Sequence, residues 1–161
     1  MDSLKSRGHF RRFELESGEE ASRPILVLRH QSDSGPVSIE FLVDTGADLS
    51  LIAPNDAVRI WGVDNYVRLD FDDLDPSVTK DIGGVGGEIR CAWKSLRLGF
   101  PLHETNNEMT LTTAQILVAP PTAQFGISLL GWDIMSKFRR IEFNPAEGVF
   151  DLILLSIAPQ Q

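Results

Sequence analysis

The sequence predicts an all-β domain with one or two short helices. Apolar residues recur in short runs, and several of these alternate with polar residues as the two faces of a strand require. Turn-forming residues separate the runs, most clearly at residues 32–36 and 144–148. The chain has 161 residues, of which 42% are hydrophobic, so we expect one domain with a substantial core.

The first strands and helix are predicted in the N-terminal half. Residues 24–30 and 37–43 have strand character on either side of a turn, which predicts a hairpin that leads directly into Asp44. A short helix is expected over residues 54–61, because proline opens it and Gly62 can end it. Alternation over residues 67–71 predicts a further strand.

The C-terminal half is also predicted to consist of short strands and one short helix. Further strands are predicted at residues 88–93, 111–118, 127–130, 139–143 and 149–154. A helix is predicted from residue 132 to 138, since Trp132, Met135 and Phe138 share one helical face.

The two ends of the chain are predicted to lie outside the folded domain. Residues 1–22 mix many charged residues with few large apolar ones, which indicates a flexible N-terminal tail with a candidate edge strand at residues 12–16. The folded domain is then expected over residues 23–157, followed by a C-terminal tail at residues 158–161.

Charge and cysteine content narrow the classes of partner. Lys and Arg total 15 against 23 for Asp and Glu, and the net charge of -8 disfavours nucleic acid or an anionic membrane surface. Cys91 is the single cysteine, and its alternation with Ile89 and Trp93 predicts a buried strand residue rather than a nucleophile. No apolar run approaches the roughly 20 residues of a membrane span, and residues 1–22 lack the centre of a signal peptide. We therefore expect a soluble, cytoplasmic protein.

An acid at the end of an apolar run is the first candidate functional residue. Residues 41–43 are apolar and Asp44 follows at once. A carboxylate at the edge of a core is costly unless hydrogen bonds satisfy it, so its placement points to function. Thr45 offers a hydroxyl and Gly46 allows backbone amides to approach closely. A plain Asp-Thr-Gly turn after a strand is the alternative, and these residues alone do not decide between the two.

A glycine-rich stretch is the second candidate. Residues 82–87 contain four glycines around Val85 and precede a predicted strand. Such a hairpin tip could lie over an extended ligand and donate amides to its carbonyls, although a plain glycine-rich turn is the alternative. It is not a phosphate loop, because no Gly-Lys-Ser/Thr follows.

These stretches, together with a third, carry a family resemblance. In chain order, residues 42–48, 82–87 and 129–133 resemble the retropepsin family, the single-domain aspartic proteases of retroviruses and their cellular and bacterial relatives. The resemblance implies a closed β-barrel equivalent to one half of an acid protease. It also implies a homodimer in which each protomer contributes one catalytic aspartate and one flap.

The resemblance assigns roles residue by residue. Asp44 matches the catalytic aspartate of the family. Thr45 matches the residue that hydrogen-bonds across the pair of aspartates, and Gly46 matches the glycine that lets the backbone come close to them. Two neighbouring carboxylates that share one proton can act as base and acid in peptide hydrolysis. The implied substrate-binding positions are Ala47, Asp48, Leu51, Gly83, Gly84, Val85, Gly86 and Leu129.

The chain departs from the family pattern in two places. Trp132 stands where retroviral members usually have an arginine, which pairs with the aspartate matched by Asp48, so that ion pair is not carried over. Two predicted strands follow the C-terminal helix rather than one, which leaves room for a different dimer interface.

The interpretation is an aspartic endopeptidase that cleaves extended polypeptide segments through an Asp dyad formed across a homodimer. Residues 33–35, Asp-Ser-Gly, look like the second aspartate motif of the two-domain pepsin-type enzymes. They lie in a polar turn rather than after an apolar strand, so we do not assign them a catalytic role. No metal or cofactor is expected, because the histidines lack ligand spacing; these are His9, His30 and His103. The leading alternative is a retropepsin-fold dimerisation or peptide-binding module with little proteolysis, and a β-barrel binding protein with a coincidental Asp-Thr-Gly is a third.

Overall fold

Strands dominate the fold, as predicted. The computed structural model describes residues 4–84, 87–103, 108–110 and 113–154. Within these ranges the strands are β1 (Lys5–Glu14), β2 (Glu20–Ser32), β3 (Gly35–Val43), β4 (Leu51–Ile52), β5 (Thr79–Gly84), β6 (Gly87–Leu96), β7 (Leu98–Pro101), β8 (Glu108–Thr110), β9 (Ala114–Val118), β10 (Ser128–Leu130), β11 (Arg140–Asn144) and β12 (Val149–Ile153). The helices are α1 (Pro54–Trp61), α2 (Val63–Val67) and α3 (Trp132–Met135).

The strands join in one sheet that does not close on itself. The main path runs β11-β12-β1-β2-β3-β10-β4-β9-β6-β5, with β7 pairing to β2 and β8 to β7. Among the described residues β11 and β5 end this path and do not pair with each other. The expectation of a closed barrel is therefore wrong, because the hydrogen-bonded path has two free ends.

The interpretation of residues 1–22 as a loose tail is wrong for Lys5–Glu14. These residues form β1, which pairs with β12 from Lys5 to His9 and with β2 from His9 to Glu14. A Cβ at Gly8 would collide with the Phe150 ring, so this part of the strand is packed tightly. The guanidinium of Arg7 donates to both carboxylate oxygens of Asp151 at 2.7 and 2.9 Å and holds the pKa of that carboxyl below its usual range.

Two predicted elements differ in the middle and end of the chain. The strand predicted over residues 67–71 is absent: Val67 ends helix α2, which was not predicted, and residues 68–71 are turn and irregular structure. Tyr66 of α2 is buried and donates its hydroxyl to the carbonyl of Ala119 at 2.6 Å. Helix α3 ends at Met135, earlier than predicted, while α1 agrees with the prediction and is followed by Gly62 at φ 77°.

The core has two parts. The larger cluster fills the sheet interior with side chains from β2, β3, β9 and β12 and receives Ile134 and Met135 from α3. The smaller one lies beneath the β5–β6 hairpin and contains Cys91, which is fully buried. Burial raises the pKa of the Cys91 thiol to about 12, which agrees with the predicted packing role.

The helices are short elements of a β structure. Among the described residues, none of them is both long enough and apolar enough to cross a membrane.

Candidate active site

Asp44 lies where two parallel strands end together. β3 buries Phe41 and Val43, and β10 runs parallel beside it with Leu130 opposite Val43. The Asp44 backbone N–H then donates to the Leu130 carbonyl at 3.0 Å, which extends the strand pairing by one residue. The strand pair therefore delivers a half-buried carboxylate to the end of the sheet.

The turn after Asp44 holds the carboxylate. The Gly46 N–H donates to Asp44 Oδ1 at 2.9 Å, and the Ala47 N–H donates to the Asp44 carbonyl at 3.2 Å. A Cβ on Gly46 would lie only 3.3 Å from Oδ1, so a glycine fits this close approach. Thr45 and Asp48 are exposed on the same turn. The predicted residues Asp44, Thr45, Gly46 and Asp48 therefore lie on one turn, and of these Gly46 contacts the Asp44 carboxylate.

A second segment, Gly131 to Asp133, crosses this turn from the far end of the chain. The Trp132 N–H donates to the Ala47 carbonyl at 2.9 Å, and the Asp133 N–H donates to the Asp48 carbonyl at 3.0 Å. A Cβ on Gly131 would lie 2.7 Å from the carbonyl carbon of Leu49, so only glycine allows the two backbones to come this close. This crossing fixes the turn that carries Asp44.

The side chain of Asp133 anchors the end of the turn. Its Oδ1 accepts from the Ser50 N–H at 2.9 Å and from the Ser50 hydroxyl at 2.7 Å. The Ser50 oxygen in turn accepts from the Gly131 N–H at 2.8 Å. Ser50 is fully buried, so these bonds satisfy polar groups that water does not reach. Asp133 is part of the predicted motif at residues 129–133, but the sequence did not predict that its side chain would bind Ser50.

Trp132 contacts the turn directly. Its indole Nε1–H donates to the Thr45 carbonyl at 2.7 Å, one residue after Asp44. The residue is 44% exposed, so a large part of it stays accessible at the surface of the turn. Trp132 therefore binds the backbone next to the Asp44 carboxylate.

The β5–β6 hairpin forms the second predicted part of the site. Gly83 pairs with Glu88 and Gly84 with Gly87, so the glycines lie at the tip of an antiparallel hairpin. Gly87 has φ 113°, a conformation that favours glycine. Val85 and Gly86, for which substrate contacts were predicted, lie outside the described residues.

A cleft of about 700 Å³ lies between this hairpin and the sheet. It brings together three of the predicted binding residues, Leu51, Gly83 and Leu129. The other lining residues were not predicted: Ile82, Gly87, Ile89, Thr122, Ala123, Gln124 and Phe125. Residues 122–125 form an irregular segment without a sequence pattern, so periodicity could not have found them.

Asp44 itself lines a separate depression of about 520 Å³. Thr45 lies in it too, and the remaining lining residues are Arg23, Pro24, Leu42, Val43 and Phe143. In this single chain the carboxylate and the apolar cleft are therefore not part of one cavity. Ala47 and Asp48 are on the Asp44 turn and line neither of these two cavities.

Comparisons with known proteins point to one family. A family model described as retroviral aspartyl protease matches residues 20–141, a range that includes Asp44, the β5–β6 hairpin and α3. No curated protein matches the chain significantly.

Solved structures with a similar fold include a retropepsin-like aspartic protease from Rickettsia conorii. It is 17% identical, with 96% of this chain and 95% of that chain covered and a TM-score of 0.52. EIAV protease complexed with the inhibitor HBY-793 is 22% identical, with 77% of this chain and 90% of that chain covered and a TM-score of 0.40. The Rickettsia likeness supports the fold.

Proposed function

The chain belongs to the retroviral aspartyl protease family, and from this we propose that it is an aspartic endopeptidase whose catalytic dyad forms from Asp44 of two identical chains. The observation that carries the proposal is the carboxylate at the end of β3, held by the Gly46 amide on a turn that α3 crosses. A turn fixed at this many points suits a residue that must keep its geometry during a reaction.

The chemistry explains why a second carboxylate is needed. Peptide hydrolysis requires a base that takes a proton from water and an acid that gives one to the scissile group. One ionised and one protonated carboxyl fulfil both roles, and two close carboxylates favour that state because both cannot ionise easily. Asp44 of one chain would be the base while Asp44 of the other is the acid. Thr45 and Gly46 would keep the pair in register.

The substrate is proposed to be an extended polypeptide. Leu51 and Leu129 line the same cleft as Gly83 of the hairpin, and their apolar side chains suit those of an extended peptide. Ala47 and Asp48 would contact its main chain from the Asp44 turn. Gly84 would cover it from the end of β5, and substrate contacts are also proposed for Val85 and Gly86. This acid–base mechanism uses no metal or cofactor.

The test is the variant D44N with the chain otherwise intact. Loss of the shared proton chemistry should lower cleavage of unfolded peptide libraries by about 10³-fold or more, while the thermal unfolding midpoint stays close to wild type. D33N is the matched control, because Asp33 heads the similar Asp-Ser-Gly triplet in the β2–β3 turn and should keep full activity. A statine-type inhibitor should abolish the wild-type cleavage.

Two outcomes would contradict the proposal. Cleavage that survives in D44N would exclude the dyad. A wild-type protein that binds peptides but cleaves none of them would instead favour the peptide-binding module.

A further inference from the structure

A second cavity, of about 500 Å³, adjoins the apolar cleft. Residues 122–125 line the cleft, and the next two residues, Gly126 and Ile127, line this cavity, so one short segment borders both. A Cβ added at Gly126 would meet no atom within 4 Å, which leaves open space beside the segment. Because Arg11 of β1 and Arg59 of α1 also line it, we call it the arginine cavity.

The two arginines use only part of their hydrogen-bonding capacity within the protein. Arg11 Nη2 donates to Glu40 Oε2 at 2.5 Å, and Arg59 Nη1 donates to Asp56 Oδ1 at 3.1 Å. A guanidinium has five N–H donors, and the described residues accept no further hydrogen bond from either side chain. The arginine side chains are 43% and 52% exposed, so their remaining donors are accessible to a ligand.

The carboxylates of the cavity have less capacity left. Asp56 is buried and both of its oxygens are used, since Oδ1 accepts from Arg59 and Oδ2 accepts from the Ser128 hydroxyl at 2.7 Å. Glu40 is about half exposed and already accepts from Arg11. Two guanidiniums with unused donors against one half-exposed carboxylate favour an anionic ligand over a cationic one.

The wall that carries Arg59 is fixed to the strand that borders the cleft. The Ser128 hydroxyl that binds Asp56 also accepts from the Ala53 N–H at 3.0 Å. Ser128 is fully buried in β10 and directly precedes Leu129, which lines the cleft. A ligand that spans the cleft and the cavity would therefore meet two preorganised surfaces.

The cavity also has apolar groups beside its charges. The Arg11 guanidinium lies over the Phe13 ring, 5.3 Å from the centroid, and both residues line the cavity with Ile127. A carboxylate on a short aliphatic stem matches this combination, because the planar carboxylate pairs with a guanidinium and the stem contacts apolar atoms. Aspartate and glutamate side chains have this chemistry.

We propose that the arginine cavity binds an acidic side chain of the polypeptide substrate, beyond the residues that the apolar cleft holds. The inference deepens the proposed function and rests on it for the polypeptide in the cleft. The chain has a net charge of -8, so its overall field does not attract acidic peptides. Selection of the acidic residue therefore depends on Arg11 and Arg59.

The test measures binding to the full-length D44N variant by fluorescence anisotropy, so that it does not depend on cleavage. The probes are fluorescein-labelled peptides with an apolar core flanked by glycines, in which a single Glu, Gln or Lys is moved through the flanking positions. At one flanking position the Glu peptide should bind about fivefold more tightly than the Gln peptide. This preference should shrink at high salt, because the arginines are half exposed and their charges are screened.

Substitution of Arg11 in the D44N background identifies the source of the preference. R11Q should bring the ratio of Glu to Gln affinity close to one, and R11E should make the Lys peptide bind more tightly than the Glu peptide. Arg11 is a better target than Arg59, because its partner Glu40 is exposed to water whereas Asp56 is buried. A reversed preference cannot arise from a misfolded chain.

R12Q is the matched control for R11Q. Arg12 is the next residue of β1, its side chain is 80% exposed, and it lines neither the arginine cavity nor the cleft. Successive strand residues point to opposite faces, so R12Q makes the same change of charge on the other side of the strand. It should keep the full preference for the Glu peptide.

The outcomes separate the inference from the proposed function. Equal binding of Glu and Gln peptides at every position, no binding of either peptide, or a preference that R11Q and R11E leave unchanged would overturn the arginine cavity. If any of these is found while wild-type cleavage depends on Asp44, the protease function stands alone. If R11Q removes the preference while the wild-type chain cleaves no peptide, the cavity stands and the protease function is wrong.

Discussion

At the scale of single residues, Trp132 makes a hydrogen bond that neither the composition nor any motif of the sequence could indicate. It donates its indole N–H to the carbonyl of Thr45, across a separation of 87 residues along the chain. Sequence reasoning correctly placed Asp44, Thr45 and Gly46 on one turn, because their order after an apolar strand is a local signal. The Trp132 bond was missed because it depends on where two distant segments cross.

We predict that W132F slows catalysis while the fold stays intact. Phenylalanine keeps an aromatic ring and removes the Nε1 donor, and a net hydrogen bond contributes about 1 kcal/mol to stability. The unfolding midpoint should therefore fall by only about 2–4 °C. If the bond also positions the Asp44 turn, kcat should fall by about fivefold with little change in KM. Steady-state kinetics on a peptide substrate measure this.

W61F is the control for that variant. Trp61 lies at the end of α1, packs against the larger core cluster and lines neither the Asp44 depression nor the apolar cleft, so its replacement should leave kcat unchanged. Equal kcat values for W132F and wild type would refute a positioning role for the indole.

At the scale of elements, β1 shows why charge-rich composition is a poor guide to order. Its small residues Ser6 and Gly8 are packed against neighbours, and Arg7 reaches a buried acid on β12. None of these features gives an apolar periodicity, so the strand resembled a tail. Helix α2 was missed because five residues are too few for a helical period to appear. The strand predicted at residues 67–71 was wrong because Leu69 and Phe71 pack against the core from irregular structure, which produces the same alternation.

We predict that G8A destabilises the domain while G126A does not. A Cβ at residue 8 would meet the Phe150 ring and the Ile25 carbonyl, and overpacking of this kind lowers the free energy of unfolding by about 1–3 kcal/mol. Gly126 has no atom within 4 Å of an added Cβ, so G126A is its matched control. Urea denaturation of the three proteins gives the comparison. Equal stability of G8A and wild type would mean that β1 is not packed as described.

At the scale of the whole molecule, the ordered motifs predicted the fold class and the family but not the connectivity of the sheet. Parallel pairs such as β3 with β10 and β4 with β9 join strands far apart in the chain. Their long-range pairing leaves no mark in any local window of sequence. The resemblance suggested closure into a barrel, and the open edges at β11 and β5 corrected it.

The separation of the Asp44 depression from the apolar cleft bears on how many chains a complete active site needs. One chain presents Asp44 in a depression beside an exposed edge strand, while its apolar cleft lies elsewhere. A second copy of the chain would supply the second carboxylate of the proposed dyad, and each chain would then contribute one cleft and one hairpin. We therefore expect activity to belong to the pair and not to the single chain.

The most direct test of this account mixes wild-type chains with a roughly ninefold excess of D44N and measures cleavage per wild-type chain after exchange. Because mass action distributes chains at random among dimers, activity should fall to about a tenth of that of wild type alone. Unchanged activity per wild-type chain, with mixed dimers shown by mass, would contradict a dyad shared between two chains.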